Sequence, residues 1–179
     1  MTRTAGRASS NVNPSLRIRD VVPDDAEGIC RVINPIIEAG AYTVFDALFG
    51  VESEREYIRT FPTRGVWKVA LEAETSQVVG WQVLEPLASY TAAFDHVAGI
   101  GTYVELSQRR RGIASALFAA SFDAARAKGF EKLFTCVRAD NPAALATYRA
   151  HGFVVVGTAR RHAKLHGRYI DELVIERML

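Results

Sequence analysis

The stretch YVELSQRRRGIAS, residues 103–115, decides how the fold of this 179-residue chain is interpreted. Its first residues are aromatic and β-branched, which favours a strand, and Gly112 stands directly before a run of helix-forming residues. The stretch therefore predicts a strand, a short turn and the first turn of a helix. Free backbone N–H groups and the positive end of the helix dipole meet at such a turn, so it can bind a phosphate-like anion.

Taken alone, this turn does not identify its ligand, because an arginine-rich turn exposed to solvent has the same composition. The Gly-Lys-Ser/Thr sequence of Walker A loops does not occur in the chain, and neither does the G-x-G-x-x-G sequence of dinucleotide-binding folds. The turn thus predicts anion binding of a kind that these two motifs do not describe.

The segments after the turn alternate between helix and strand patterns. Apolar residues recur every three or four positions over 112–128, which predicts a long helix. A short strand is predicted at 132–137. Asn141 and Pro142 are then typical of the N-cap and first position of a helix that continues over 143–150.

The N-terminal part of the chain predicts one strand and two helices. Residues 16–21 alternate between apolar and polar side chains, as in a half-buried strand. Pro23 opens an amphipathic helix with a face of isoleucines and valine. Ser53, with an acid three residues later, predicts the N-cap of a short second helix that Pro62 ends.

Three apolar, β-branched runs in the middle of the chain are predicted as strands. Residues 66–73 and 77–84 are interpreted as a β-hairpin, and 97–106 as the strand that leads into the arginine-rich turn. Gly99 and Gly101 in the last run are typical of a bulge or of a close approach by another backbone.

The C-terminal region is predicted to hold two strands, 153–157 and 169–178, joined by a basic connection at 158–168. The adjacent middle strands cannot all be connected as parallel crossovers. The fold class is therefore α+β, with a mixed, mostly antiparallel central sheet of six to seven strands flanked by about four helices. Residues 1–14 are expected to form a mobile tail before a single domain at 15–179.

Composition excludes a wholly disordered chain and a small disulfide-stabilised scaffold. The chain has 49% hydrophobic and 23% charged residues, an ordinary globular composition. It shows neither a signal-peptide pattern nor about 18 consecutive apolar residues, so no membrane partner is expected. Cys30 and Cys136 are far apart and lack a CxxC spacing, which favours buried thiols in a reducing, cytoplasmic compartment.

Charge is distributed unevenly, with a net −4 over residues 1–100 and +6 over 101–179. The densest positive cluster is Arg109, Arg110 and Arg111, which suits either a nucleic acid or a small anionic ligand. No aromatic residues are interleaved with this cluster, and no nucleic-acid-binding module pattern accompanies it. A small anion is therefore favoured, and no nucleic-acid partner is expected.

Two motifs together resemble the GCN5-related N-acetyltransferase (GNAT) superfamily. The first is QRRRGIA at 108–114, between a strand and a long helix, and the second combines NPA at 141–143 with YRAHGF at 148–153. The resemblance covers about residues 16–179, including GRYID at 167–171. It implies an acetyl-CoA-dependent enzyme with the mixed sheet predicted above.

A narrower resemblance to phosphinothricin and related amino-acid N-acetyltransferases lies in NPIIE at 34–38 and TVF at 43–45. It implies direct acetyl transfer to a primary amine of a small molecule such as an amino acid or analogue. The acceptor side is expected at 40–50, 57–64 and 158–168. The alternatives are a protein N-terminal acetyltransferase and a CoA-binding module without turnover. A homodimer is one possible assembly, since dimers are common in such enzymes.

The resemblance also implies which residues bind acetyl-CoA. The pyrophosphate would lie on the backbone of 109–115, and the pantetheine arm would pair with the main chain of a strand that splays from its neighbour. The expected cofactor-binding residues are Tyr103, Val104, Arg109, Arg110, Arg111, Gly112, Ile113, Ala114, Ser115 and Asn141. Judged by its position alone, Asn141 is also suited to a plain N-cap role.

Tyr148 matches the tyrosine that donates a proton or hydrogen bond to the departing CoA sulfur, so it is the expected catalytic residue. Its position on an amphipathic helix would equally suit a core tyrosine. No metal is expected, because His162 and His166 are four residues apart without a pattern that supplies a third ligand.

The attacking amine must be neutral, so a base or a water chain has to remove a proton. Phosphinothricin-type enzymes carry a glutamate on the strand before the phosphate turn, and the matching position here is about Gly99. The remaining candidates are His96, Glu105 and water. This missing carboxylate is the reason for keeping a module without turnover as an alternative.

Overall fold

The structure is a computed structural model that describes residues 15–179, so the expected tail at 1–14 lies outside the described residues. Seven strands form one sheet: β1 Leu16–Asp20, β2 Val66–Glu72, β3 Val78–Pro86, β4 Val97–Val104, β5 Lys132–Arg138, β6 Val154–Leu165 and β7 Arg168–Met178. Four helices accompany them: α1 Ala26–Glu38, α2 Val51–Thr60, α3 Ile113–Ala127 and α4 Pro142–Ala150.

The strand order across the sheet is β1-β2-β3-β4-β5-β7-β6. Within the described part of the chain, β4 and β5 form the only parallel pair, and every other neighbouring pair is antiparallel. The predicted α+β class with a mixed, mostly antiparallel sheet is therefore confirmed, as is the number of helices.

The helices cover both faces of the sheet. On one face, α1 and α2 bury Ile29, Ile33 and Ile58 against Trp67 and Trp81. The opposite face is covered by α3 and α4, whose core side chains include Phe118 and Tyr148. Residues 15–179 contain no helix with both the length and the apolar character needed to cross a membrane.

The centre of the sheet opens between β4 and β5. Their pairing covers Val97–Gly99 against Lys132–Phe134 and then stops. From residue 100 to residue 104, β4 pairs with β3 alone. Main-chain groups of Tyr103 and Val104 therefore lie at a splayed edge, where an extended ligand can add to the strand.

Two local predictions were wrong. Ser53 is not an N-cap, because α2 begins at Val51 with the extended residue Gly50 as its cap. The basic segment 158–168 is not a connection, because most of it extends β6 through a register shift opposite β7. Its charged side chains are compatible with a strand because β6 is an edge strand with exposed side chains.

The glycines of β4 also differ from the expectation of a bulge. The register between β3 and β4 is regular across both Gly99 and Gly101. Gly101 instead provides room for a ring, because a Cβ there would lie 3.1 Å from a ring carbon of Tyr103.

Candidate active site

A cavity of about 320 Å³, called the turn cavity below, lies where the splayed edge of β4 meets the starts of α3 and α4. Every residue expected to bind the cofactor or act in catalysis lines it, except Arg111. The fold thus brings together two motifs that are about 30 residues apart in the chain.

The turn before α3 leaves its backbone accessible. Gly112 is the N-cap and has φ +79°, a left-handed conformation that glycine adopts without a steric cost. A Cβ at Gly112 would meet nothing within 4 Å, so the turn is open to a ligand. The N–H groups of the first helical turn have no acceptors inside the helix, and buried Ile113 anchors this end of α3.

The three arginines of the turn have different surroundings. The Arg109 guanidinium lies 4.0 Å from the centre of the Tyr42 ring, and both residues line the turn cavity together with Arg110. Arg111 lies outside the lining; its guanidinium is 3.9 Å from a carboxylate oxygen of Glu72 and donates to Gln108. Contact between Arg111 and the cofactor stays a prediction.

Asn141 has the N-cap role that its position predicts. Its Oδ1 accepts a hydrogen bond of 3.1 Å from the backbone N–H of Ala144, and its Nδ2 donates to the carbonyl oxygen of Tyr42 at 3.4 Å. The side chain is buried and lines the turn cavity. The cap is therefore observed, while contact with the cofactor stays a prediction.

Tyr148 places a hydroxyl group at the wall of the turn cavity. It is 7% exposed, and its hydroxyl donates to Oγ1 of Thr102 at 3.2 Å. Phe118 and Phe153 contact the ring edge-to-face. Burial raises the pKa of Tyr148 to about 12, with the Thr102 hydrogen bond acting in the opposite direction. The phenol therefore stays neutral at physiological pH and remains a hydrogen-bond donor.

A second cavity of about 500 Å³, called the aromatic cavity below, lies on the α1–α2 face of the sheet. Tyr103 lines both cavities. The expected acceptor segments 40–50 and 57–64 contribute to the wall of the aromatic cavity, but no residue of 158–168 does. Six aromatic side chains line it: Phe45, Phe49, Tyr57, Trp67, Trp81 and Tyr103.

Neither side chain suggested as a base lines either cavity. His96 is exposed and precedes β4, at the end of the strand away from the turn. Glu105 lies 3.6 Å from Arg31 and accepts a hydrogen bond from the hydroxyl of Ser107. These contacts keep Glu105 at the surface beside the turn.

Sequence reasoning missed a carboxylate, Glu85, that stands directly opposite Gly99 in the β3–β4 register. Opposed residues of antiparallel strands project from the same face, and Glu85 lines the aromatic cavity. It accepts a hydrogen bond of 2.5 Å from the hydroxyl of Tyr57. The predicted strand ends at residue 84, one residue short of Glu85, whereas β3 continues to Pro86.

Glu54 is a second residue that the sequence did not single out. It is 6% exposed and lines the aromatic cavity, and its Oε1 has no hydrogen-bond partner among the described residues. Burial raises the pKa of Glu54 to about 7. Its only sequence signal is the spacing of four residues from buried Ile58, which places both on the inner face of α2.

Three potential metal ligands meet on the neighbouring strands β5, β6 and β7. The ligand atoms of Cys136, His162 and Glu172 all lie within 4.8 Å of one another, and His162 Nε2 is 3.8 Å from a carboxylate oxygen of Glu172. His166 is not a member of the group. The absence of a metal stays a prediction, which metal analysis of the purified protein tests.

Comparison with known proteins agrees with this fold. A family model described as the Acetyltransferase (GNAT) family matches residues 40–153. The chain is 27% identical over 168 residues to a phosphinothricin N-acetyltransferase of Streptomyces coelicolor, covering 92% of this chain and 96% of that relative.

Solved structures give the same result for the fold. A ribosomal-protein-alanine N-acetyltransferase from Brucella melitensis superposes with a TM-score of 0.84 at 24% identity, covering 91% of this chain and 99% of that one. A phosphinothricin acetyltransferase from Sinorhizobium meliloti in complex with AcCoA gives a TM-score of 0.83 at 22% identity, covering 92% and 89%. The matched region contains both motifs that line the turn cavity, and the chain belongs to the GNAT family of acetyltransferases.

Proposed function

We propose that this acetyltransferase moves the acetyl group of acetyl-CoA directly to a primary amine of a small molecule. The observation that carries the proposal is the turn cavity, whose lining includes both the glycine-capped N-terminus of α3 and the neutral hydroxyl of Tyr148. Acetyl-CoA carries a pyrophosphate at one end and a thioester at the other. Its binding therefore requires an anion site and, at a distance from it, a hydrogen-bond donor for the sulfur.

The parts of the cavity divide the work of binding. The backbone N–H groups of 112–115, with Arg109 and Arg110 nearby, suit the pyrophosphate of acetyl-CoA. The main chain of β4 beyond Gly99 lacks a partner strand on the β5 side, which suits the amides of a pantetheine arm. The thioester would then lie near Tyr148.

The transfer step needs a neutral amine as nucleophile and a group that stabilises the departing CoA thiolate. The amine nitrogen attacks the carbonyl carbon, the C–N bond forms, and the C–S bond breaks with its electron pair going to sulfur. Before attack, the substrate ammonium group loses one proton to a carboxylate of the aromatic cavity or to water. Tyr148 stabilises the sulfur by donating a hydrogen bond, and the thiolate takes up the second proton, which the nitrogen loses once the C–N bond has formed.

The acceptor side is proposed to be the aromatic cavity, because it adjoins the turn cavity at Tyr103. Amino acids and analogues belong in the first set of acceptors, since relatives of the chain are N-acetyltransferases of phosphinothricin and of L-amino acids. A peptide with a free N-terminus belongs there as well, given the ribosomal-protein-alanine N-acetyltransferase among the structural neighbours.

A CoA-binding module without turnover has lost its main support. That alternative was based on the missing carboxylate at Gly99, and Glu85 presents a carboxylate from the opposed position of β3. A homodimer, a cytoplasmic location and the lack of a nucleic-acid or membrane partner stay predictions, of which light scattering tests the first.

The experiment is calorimetric titration with acetyl-CoA followed by measurement of amine-dependent thiol release over an acceptor panel. The expected result is saturable acetyl-CoA binding and thiol release that requires one class of amine. Binding without thiol release for any amine would favour the module, and lack of acetyl-CoA binding would contradict both assignments.

A further inference from the structure

The wall of the aromatic cavity is suited to an apolar body that carries a positive charge. The ring centres of Trp81 and Tyr103 are 4.3 Å apart, and those of Trp67 and Trp81 are 5.7 Å apart. Tyr57 extends this wall at 5.4 Å from Trp67. Aromatic faces contact apolar ligands over a large area and attract cations through their electron density.

The charged residues of the wall are all acidic. Glu54 and Glu85 line the cavity, whereas no lysine, arginine or histidine of residues 15–179 does. Arg138 approaches the α1–α2 connection, but it is engaged by Asp140 and by the carbonyl oxygens of Gly40 and Thr43. A ligand carboxylate would therefore enter a negatively charged site that offers it no cationic side chain.

The two carboxylates differ in how they are satisfied. Glu85 already accepts the hydroxyl hydrogen of Tyr57. Glu54 is more deeply buried, and its Oε1 has no partner among the described residues. A buried carboxylate oxygen without a partner is costly to the fold, and a cationic ligand group beside it would supply the missing charge and hydrogen bond.

We propose that the aromatic cavity binds a primary amine carried on an apolar or aromatic body without a carboxylate next to the amine, and that Glu54 binds the ammonium group of this acceptor. The inference rests on the proposed function and narrows its substrate class, because it places such amines before the amino acids of the acceptor panel. Arylalkylamines are the simplest compounds that fit this description.

Glu54 is also suited to prepare the amine for transfer. Because burial raises its pKa to about 7, the carboxylate can accept a proton from a bound ammonium group near neutral pH. The N–H bond then breaks and an O–H bond forms on Glu54, which leaves a neutral amine with a free electron pair. Glu54 returns the proton to water before the next turnover.

Matched pairs of ligands test the substrate class on the unaltered protein. Phenethylamine and L-phenylalanine differ only by a carboxylate, as do tryptamine and L-tryptophan. Binding is measured by calorimetry with CoA at saturation, and kcat/KM is measured with acetyl-CoA. We expect each amine to bind at least about tenfold more tightly than its amino acid, because the latter buries an unpaired charge. Equal or tighter binding of the amino acids would overturn the proposal.

A variant tests the residue. Glu54→Gln keeps the shape of the side chain and removes its charge, and we expect phenethylamine binding to weaken about tenfold or more with acetyl-CoA affinity unchanged. The control is Glu56→Gln on the same helix, where the carboxylate is exposed and pairs with Arg59 at 3.4 Å. Parent-like amine affinity in Glu54→Gln would contradict the role of Glu54.

The outcomes separate this inference from the proposed function. Preferential amine binding without acetyl transfer to any acceptor would overturn the proposed function and support the binding class. Acetyl transfer that favours L-amino acids over the matched amines would support the proposed function and overturn the binding class. The affinity measurement decides the inference in either case, because it does not depend on turnover.

Discussion

At the residue scale, Tyr148 combines a buried position with a polar contact at the wall of the turn cavity. Its ring packs with Phe118 and Phe153, and its hydroxyl reaches Thr102. The ring therefore belongs to the core, and the hydroxyl, which donates its hydrogen to Thr102, has to turn from Thr102 to the departing sulfur to serve catalysis.

The variant Tyr148→Phe separates these two contributions. It keeps the ring and removes the hydroxyl, so we expect kcat to fall by about 10² to 10⁴ with acetyl-CoA affinity largely kept. Steady-state kinetics and calorimetry measure the two quantities. Tyr90→Phe, at a tyrosine that is 84% exposed, is the control. A folded Tyr148→Phe enzyme whose chemical step runs at the parent rate would make Tyr148 purely structural.

The buried carboxyl group of Glu54 should make the free energy of unfolding depend on pH. Its pKa in the folded state is about 7, above its ordinary value of 4.5, so the folded state binds the proton more tightly than the unfolded state. The free energy of unfolding should therefore fall as pH rises from about 4.5 to 7, by about 3 kcal/mol from this group. Glu54→Gln has no carboxyl group to titrate here and should not show this fall. The free energy of unfolding of the variant, relative to that of the parent, should therefore rise as pH rises from about 4.5 to 7. Urea denaturation measures it, and a pH-independent difference would contradict the assignment.

Individual site residues differ in how far the sequence could predict them. Asn141 and Gly112 were predictable because their roles depend on local backbone geometry. Glu54 was not, because α2 is mostly polar and its buried face is set by packing against Trp67 and Trp81. Glutamate side chains are usually exposed, so the burial of this one follows from tertiary packing and not from its residue type.

At the element scale, the connection from β4 to α3 forms the turn that is proposed to bind the pyrophosphate of acetyl-CoA. Gly112→Asp would place a carboxylate where the helix dipole is proposed to attract the pyrophosphate. Because the two anions repel each other, we expect acetyl-CoA affinity to fall by about tenfold or more. Calorimetry measures the affinity. Gly129→Asp is the control for backbone cost, because Gly129 has φ +81° and open space at the other end of α3. Equal acetyl-CoA affinity in the two folded variants would rule out a phosphate site at this turn.

The side chain of Arg138, the last residue of β5, links that strand to the connection between α1 and α2. Arg138 is 8% exposed, pairs with both oxygens of Asp140 at 2.8 Å, and donates to the carbonyl oxygens of Gly40 and Thr43. These bonds fix the segment that contributes Phe45 to the aromatic cavity.

Arg138→Lys keeps the charge but cannot reproduce this planar set of hydrogen bonds. We expect the free energy of unfolding to fall by about 1 to 3 kcal/mol. Cleavage in limited proteolysis should begin within 40–50, because the tether holds that segment. Arg149→Lys, at an exposed position on α4, is the control. Unchanged stability and an unchanged cleavage pattern would show that Arg138 does not hold the connection.

Elements with local signals were predictable, and those set by pairing across the sheet were not. The helix over Ile113–Ala127 follows from its periodicity and its glycine boundaries. The extension of β6 through Arg160 and Arg161 depends on pairing with β7, which no local pattern encodes. Its polar composition is typical of a loop and is tolerated at a sheet edge.

At the scale of the whole molecule, two neighbouring cavities are proposed to bind acetyl-CoA and the acceptor. The turn cavity lies at the starts of α3 and α4, the aromatic cavity is lined by α2 and the α1–α2 connection, and Tyr103 lines both. Strand order and the splay after Gly99 place the cavities next to each other. The sequence predicted the class of sheet from its element order, but the splay came from resemblance alone, because it depends on where two distant strands cease to pair.

A single-turnover reaction tests the central claim, acetyl transfer from acetyl-CoA to an amine at this site, most directly. Enzyme in excess is mixed with acetyl-CoA carrying a ¹³C-labelled acetyl group and with phenethylamine, L-phenylalanine and a peptide with a free N-terminus. Mass spectrometry then follows the label on the acceptors and on the protein. The account predicts that the label moves from CoA to an amine nitrogen in proportion to the free thiol released, with none retained on the protein, and that Tyr148→Phe slows this step. Label that stays on CoA with every acceptor, or that accumulates on a protein side chain, would contradict direct transfer.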